Sequence, residues 1–445
     1  MKTLAAISTC AVMAAACYGG GGDAARAPDP LTTPKSDAPY LRDAGFRRAT
    51  LEASLVNPDN GYSKLRLASY ETGKPGDWAR LPEWNPRVEP VAVGALDDEG
   101  GLDMGAPFGA DARALAISGD AAAADEAALV ALGEQAFFRY PATLAPPAAV
   151  LAASRESFER YGFWIDEARG AGGLVRAEMA DGSRALAYTC STCHAASHDG
   201  ALVLGLGNDR LDLGRIAYDY ATRTQPPSDE LARYLTWGPG RNDVTTTNAT
   251  EPVKMADLRP ARWLTHLQAD GSVAQKDRAT LAVRIETLII TTHGAVLRPP
   301  RAVALGLAAY IWSLADALPT ERALSADEAH GARVFQSTCA RCHAQPALTG
   351  PPVPLDVVGT DPTIGLSTER GTGAYRVPSL HGVSSRRALL HDASLPSLTV
   401  MFDPARLRPD FTGGRHGPGP VAGHLFGLDL GESDRAALLA YLASL

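Results

Sequence analysis

Two pentapeptides, Cys190-Ser191-Thr192-Cys193-His194 and Cys339-Ala340-Arg341-Cys342-His343, decide the reading of this 445-residue chain. Each has the Cys-x-x-Cys-His form of a c-type haem attachment site. Two thiols three positions apart reach the two vinyl groups of one porphyrin, and the adjacent imidazole reaches its iron. A lone Cys-x-x-Cys also serves zinc sites and redox disulfides; two copies, each ending in histidine, select haem. Two covalently bound haem c groups are therefore expected. Cys190, Cys193, Cys339 and Cys342 would hold them, with His194 and His343 as proximal iron ligands. The remaining cysteines are Cys10 and Cys17, so the body of the chain has none left for a disulfide framework.

The amino terminus agrees with that chemistry. Met1-Lys2-Thr3 followed by the apolar run Leu4 to Ala16 reads as a secretion signal, too short to span a bilayer. Ala14-Ala15-Ala16-Cys17 resembles a lipobox, so residues 1–17 are expected to be a secretion or lipoprotein signal that leaves a lipidated Cys17 as membrane anchor. Residues 18–40, rich in Gly, Ala, Pro and Asp, read as a flexible linker. The expected location is the periplasm, free or as an outer-membrane-anchored lipoprotein of a Gram-negative bacterium. A net charge of −8 argues against nucleic acid as a partner. Expected partners are small redox proteins, or quinol or cytochrome donors.

Outward from the two motifs, the chain repeats itself. Gly133-x-x-x-Phe137 heads the first haem region and Gly331-x-x-x-Phe335 the second, as amphipathic helices before the haem loop. His293 is followed seventeen positions later by Tyr310-Ile311-Trp312-Ser313-Leu314, and His424 seventeen positions later by Tyr441-Leu442-Ala443-Ser444-Leu445. The terminal helices are expected to start at Pro299-Pro300 and at Ser433-Asp434. The predicted fold is mainly α: two tandem class I cytochrome c-like haem domains, 111–320 and 321–445, behind an irregular, β-containing arm at 41–110. In that arm Tyr62, Tyr70, Trp78 and Trp84 read as packing groups, and Lys64-Leu65-Arg66-Leu67 as a short strand.

The run Tyr375-Arg376-Val377-Pro378-Ser379-Leu380, His391-Asp392-Ala393-Ser394, Arg408-Pro409-Asp410-Phe411 and Gly423-His424-Leu425-Phe426-Gly427 resembles the diheme cytochrome c peroxidase superfamily. Within it the chain is most similar to the rubber-oxygenase-like diheme cytochromes. The resemblance implies haem binding and electron transfer. It also implies an alternative, a peroxidase or oxygenase with the N-terminal haem as catalytic iron and the C-terminal haem as relay. The chain departs from the peroxidases at Ser379-Leu380-His381, where they carry Pro-Thr-Leu-Arg, and at Asp392-Ala393-Ser394, and no peroxide-cleaving glutamate can be matched. A calcium between the haems is a further expectation of the resemblance, though Asn242-Asp243 supplies no clear ligand loop.

What each iron can do depends on its sixth ligand. For the second haem the candidates are His424, favoured by the repeat, then Met401, with His391, His381 and His416 behind. For the first, the repeat singles out His293, with His266, His198 and Met255 as alternatives; a buried histidine satisfied by a backbone carbonyl is the competing reading of His293. Were the first iron open, Trp263, His266 and Arg241 would line its distal pocket. Arg241, Arg284, Arg298, Arg301 and Arg376 are candidates to neutralise haem propionates.

Overall fold

The computed structural model describes residues 37–68, 81–97, 102–117, 125–152, 154–243, 251–319 and 322–445. The signal, Cys17, most of the linker, Tyr70 and Trp78 lie outside them. Among the described residues helices carry the cores, and no strand exceeds five residues. The fold is mainly α.

Two helix crossings organise the molecule, and they are copies of one another. Helix Glu126–Arg139 crosses helix Arg301–Ser313 at Gly133 and Gly306. A Cβ on Gly133 would stand 1.9 Å from the Gly306 carbonyl oxygen and 2.7 Å from Tyr310 Cβ. Helix Ala326–Thr338 crosses helix Glu432–Ala443 in the same manner: a Cβ on Gly331 would stand 1.9 Å from the Ala437 carbonyl oxygen and 2.7 Å from Tyr441 Cβ. One turn on, Phe137 meets Tyr310 with ring centroids 5.2 Å apart at 58°, and Phe335 meets Tyr441 at 5.3 Å and 58°. The glycine lets the backbones touch, and the aromatic pair four residues later fills the widening gap.

Capping sets where these helices begin. Asp125 accepts from Ala127 N at 3.0 Å, Asp277 from Thr280 N at 2.8 Å ahead of helix Arg278–Thr292, and Ser325 forms a reciprocal box with Glu328. The two terminal helices start nearly where expected, after Pro300 and after Gly431, so Ser433 and Asp434 fall inside the first turn.

The first region carries an insertion that the second lacks. A four-stranded antiparallel sheet, in the order Val88–Pro90, Leu174–Glu178, Arg184–Tyr188, Thr143–Leu144, leads directly into the short helix Cys190–His194. One apolar cluster joins Tyr40, Leu51 and Tyr62 to the helices of the first region, a second gathers around Phe158, Phe163 and Leu174, and a third lies wholly within residues 334–442.

The arm differs from its sequence reading. Residues 44–53 and 61–68 are helical, and Lys64–Leu67 lies inside helix Gly61–Ala68. Four alternating residues are too short a run to fix a period, and the buried set Tyr62, Ser63 and Arg66 follows helical spacing. The linker ends earlier than expected, because Asp37–Arg42 is helical and the fully buried Tyr40 donates to Glu286 at 2.8 Å. The β-content of the arm is the strand Val88–Pro90.

Gly133→Ala and Gly331→Ala are each expected to destabilise the chain by about 1–3 kcal/mol or more, because the added methyl overlaps a backbone carbonyl. Gly94→Ala, where nothing lies within 4 Å, should change little. Urea midpoints of the three variants check this.

Candidate functional site

The first motif is clamped to the sheet that precedes it. Thr189 caps its helix, and the hydroxyls of Thr189 and Thr192 donate to Gly173 O at 2.8 and 2.9 Å. Trp164 Nε1 donates to Ser191 O at 2.9 Å. Gly173 has φ +64°, and a Cβ there would lie 2.3 Å from Ser191 Oγ, so only glycine admits this contact. The second motif continues the Gly331–Phe335 helix instead, with Cys339 N donating to Phe335 O at 2.8 Å and His343 N to Cys339 O at 3.0 Å.

Different scaffolds give both histidines one hydrogen-bond pattern. His194 Nδ1 meets Ala256 O at 2.9 Å, and His343 Nδ1 meets Leu348 O at 3.2 Å. A carbonyl acceptor requires the proton on Nδ1, which leaves Nε2 of each ring as the atom able to bind a metal. Burial pushes His343 down to about 4 and lowers His194 as well, so both rings stay neutral, the form a metal needs.

The thiols pack against the apolar clusters, Cys190 on the first, Cys193 on the second and Cys339 on the third. Cys190, Cys193 and Cys339 keep partial exposure, yet burial pushes them up to about 12, 12 and 11.

Opposite His343 stands His424. It adopts a left-handed backbone, φ +44°, fixed by its N–H donating to Val358 O at 2.6 Å and by the fully buried Arg406, whose Nη2 donates to Gly423 O and His424 O at 2.8 and 2.9 Å. The His343 and His424 ring centroids lie 6.5 Å apart. At this separation the two imidazoles would be able to reach one metal ion, with bonds of about 2.0–2.1 Å to each ring. His424 Nδ1 is buried without a partner, and burial, followed by the nearby His343, pushes the ring down to about 4. A wide, open surface depression is lined by Ser337, Thr338, Leu407 and residues 425–430, the last of these following His424 in the chain. These residues fit a haem held at Cys339, Cys342 and His343.

The first region shows no such pairing for its repeat-assigned histidine. His293 closes helix Arg278–Thr292, with Nε2 against Pro141 O at 3.1 Å and its ring 5.0 Å from Trp84. Equal spacing in sequence has not produced equal placement, because His293 ends a packed helix while His424 sits in an irregular loop. Met255 is buried in the cluster that includes Cys193, His198 lies 3.3 Å from Asp199, and His266 Nδ1 meets Thr265 Oγ1 at 3.0 Å. The Arg241 guanidinium donates to Trp237 O and Thr236 O. Trp263 stacks on His381, centroids 4.3 Å apart, across the junction of the two regions.

For the second haem, Met401 is core packing beside Phe402, His391 stacks on Tyr375 at 4.1 Å, and the Nε2 atoms of His381 and His416 rest on backbone carbonyls of Pro346 and Asp392. Among the described residues no group of three or more His, Cys, Asp or Glu forms a metal cluster, the calcium expectation included. No helix among them is long and apolar enough to cross a membrane.

No protein family and no curated protein matches this chain. Among solved structures it is similar to a MauG-like protein associated with microbial copper homeostasis, at 16% identity, covering 47% of this chain and 81% of that one, with a TM-score of 0.29. Likeness at that level carries no argument about this chain.

Sequence reasoning missed one support of the first motif. Asp257, next to the Ala256 carbonyl that holds His194, is buried between Arg259 and Arg386 at 2.8 Å each. Burial raises its carboxyl, but Arg386 and Arg259 together bring it below the ordinary carboxylate value. A depressed native value gives stability that is present above the unfolded carboxylate pKa and lost as pH falls through the native one. Asp257→Asn, which leaves two buried guanidiniums uncompensated, is expected to cost about 3–5 kcal/mol at neutral pH. It should also remove part of the acid lability below about pH 4, as urea denaturation against pH would show.

Proposed function

We propose that this chain is an exported diheme c-type cytochrome that passes electrons between redox partners. The observation that carries the reading is the His343–His424 ring pair, centroids 6.5 Å apart, with His343 closing the second Cys-x-x-Cys-His motif. Bound haem iron supplies one-electron exchange between ferrous and ferric states.

The chain's own residues do the rest. Cys190, Cys193, Cys339 and Cys342 tie two porphyrins to the backbone, and His194 and His343 present Nε2 because Ala256 O and Leu348 O hold Nδ1. Arg406 fixes the loop that presents His424, which closes the second site against exogenous ligands. Such a closed site suits electron transfer. Export, a lipidated Cys17 and a soluble redox protein or quinol as partner complete the proposal, since c-type attachment belongs outside the cytoplasm.

A second reading, in which the first haem reduces peroxide or activates oxygen while the second relays electrons, is favoured by one observation. His293 is engaged by Pro141 and Trp84, so the ligand the repeat assigns to the first iron is held elsewhere.

The test is haem stoichiometry in protein exported with the attachment machinery. Acid-acetone extraction should leave two haems per chain by pyridine haemochrome absorbance, and Cys339→Ala/Cys342→Ala should leave one. A parent chain without covalent haem would overturn the proposal. Cyanide binding to one ferric haem of two at millimolar ligand would favour the second reading; binding to neither favours electron transfer alone.

A further inference from the structure

Among the described residues five of the ten buried arginines, Arg176, Arg259, Arg278, Arg370 and Arg386, pair with a carboxylate, and half-buried Arg298 and Arg301 do so as well. Arg301 meets Glu286 at 3.5 Å, Arg370 meets Glu251 at 3.3 Å, Arg386 meets Asp257 at 2.8 Å and Arg298 meets Glu83 at 2.9 Å. Four cations at the seam between the two haem regions do not: Arg66, Arg284, Arg376 and Lys254.

Arg66 is 1% exposed and Arg284 8%, and their guanidinium carbons lie 5.7 and 5.6 Å from the Tyr62 ring centroid. Arg66 Nε and Arg284 Nη1 are buried with no partner. Arg66 has one weak contact, Nη2 to Ser54 Oγ at 3.4 Å. With the Gln268 amide turned so that its nitrogen faces Ser272, its oxygen accepts from Arg284 Nη2 and Nε at 2.9 and 3.2 Å and from Tyr62 Oη at 3.2 Å. The Gln268 backbone oxygen accepts from Arg376 Nε at 2.9 Å, so one residue links the two guanidiniums.

Lys254 extends the seam. Its N–H donates to His391 O at 2.9 Å, and it lies two residues before the Ala256 that holds His194; Arg376 lies two residues before Pro378, whose carbonyl faces His343. Lys254 and Arg376 both keep partial exposure, although burial and the neighbouring guanidiniums push them down to about 7 and about 10. The acid within the seam is Asp270, 1% exposed, with Oδ1 accepting from Ser272 Oγ at 3.2 Å and Oδ2 unpartnered; Asp392 and Asp257 face Lys254 from the other side.

Desolvated cations that outnumber their acids need a buried anion. Charge-assisted pairing makes a carboxylate the natural partner of a guanidinium fork. We propose that Arg66, Arg284, Arg376 and Lys254 form the seat of haem propionate carboxylates. This rests on the diheme reading and deepens it, because it selects Arg284 and Arg376 from the arginines the sequence offered, adds Arg66 and Lys254, and releases Arg298 and Arg301 to protein carboxylates.

A cation beside a propionate stabilises the reduced haem, which carries one more electron. The test is spectroelectrochemical titration of holoprotein carrying two haems, with Arg284→Gln and Arg376→Gln beside Arg298→Gln as the paired control. Each seam variant should lower one midpoint potential, shifting the reduced-to-oxidised ratio of that haem at fixed solution potential by about tenfold. Arg284→Lys should restore most of the shift, and Arg298→Gln should leave both potentials in place. Unmoved potentials in fully haem-loaded seam variants would overturn the seat, whereas absent haem in the parent would overturn the diheme reading itself. Where a variant does not fold, a crystal structure of the parent holoprotein decides: a propionate oxygen within hydrogen-bond distance of Arg66 Nε, Arg284 Nη1, Arg376 or Lys254 is expected, and propionates paired elsewhere would contradict the seat.

Discussion

The structure turns on two neutral, buried imidazoles, His343 and His424, with ring centroids 6.5 Å apart. Each is costly to bury, and burial drives both far below their ordinary pKa. A left-handed histidine held by a fully buried arginine is an arrangement that surrounding structure must enforce. That enforcement has a reason if an ion and its macrocycle complete the pair. The unpartnered His424 Nδ1 belongs to the same constraint.

One helix-pair plan has been used twice and then varied. The Gly133–Tyr310 and Gly331–Tyr441 crossings agree in contact and ring angle, so the frame that carries each motif is common. Divergence lies in what feeds the motif. In the second copy the helix runs straight into Cys339, while in the first a sheet intervenes and Gly173 replaces the helix as anchor. The two histidines seventeen residues before each tyrosine have accordingly parted roles, one facing His343 and the other wedged between Trp84 and Pro141.

How much of this the sequence carried depends on whether the signal was local. The motifs, the Gly-x-x-x-Phe headers and the terminal helices are set by residues close in the chain, and the structure places them as helices and haem-loop candidates. The repeat pointed equally to His424 and His293, yet one ring faces His343 and the other lies against Pro141 and Trp84, because spacing does not report what lies across the fold. The arm was misread at Lys64–Leu67 because a four-residue alternation fits either period, and burial of Tyr62 and Arg66 decided for the helix. The cationic seam was invisible: Arg66, Gln268, Arg284 and Arg376 meet only after distant segments converge, and whether an arginine has a partner is a tertiary fact.

Low-temperature electron paramagnetic resonance of the oxidised holoprotein, compared with His424→Ala, tests the central claim most directly. A low-spin ferric signal that becomes high-spin in His424→Ala, with the other haem's signal unchanged, is the predicted result. A parent spectrum whose signals are indifferent to His424→Ala would show that the ring pair does not close on an iron, and would contradict the account.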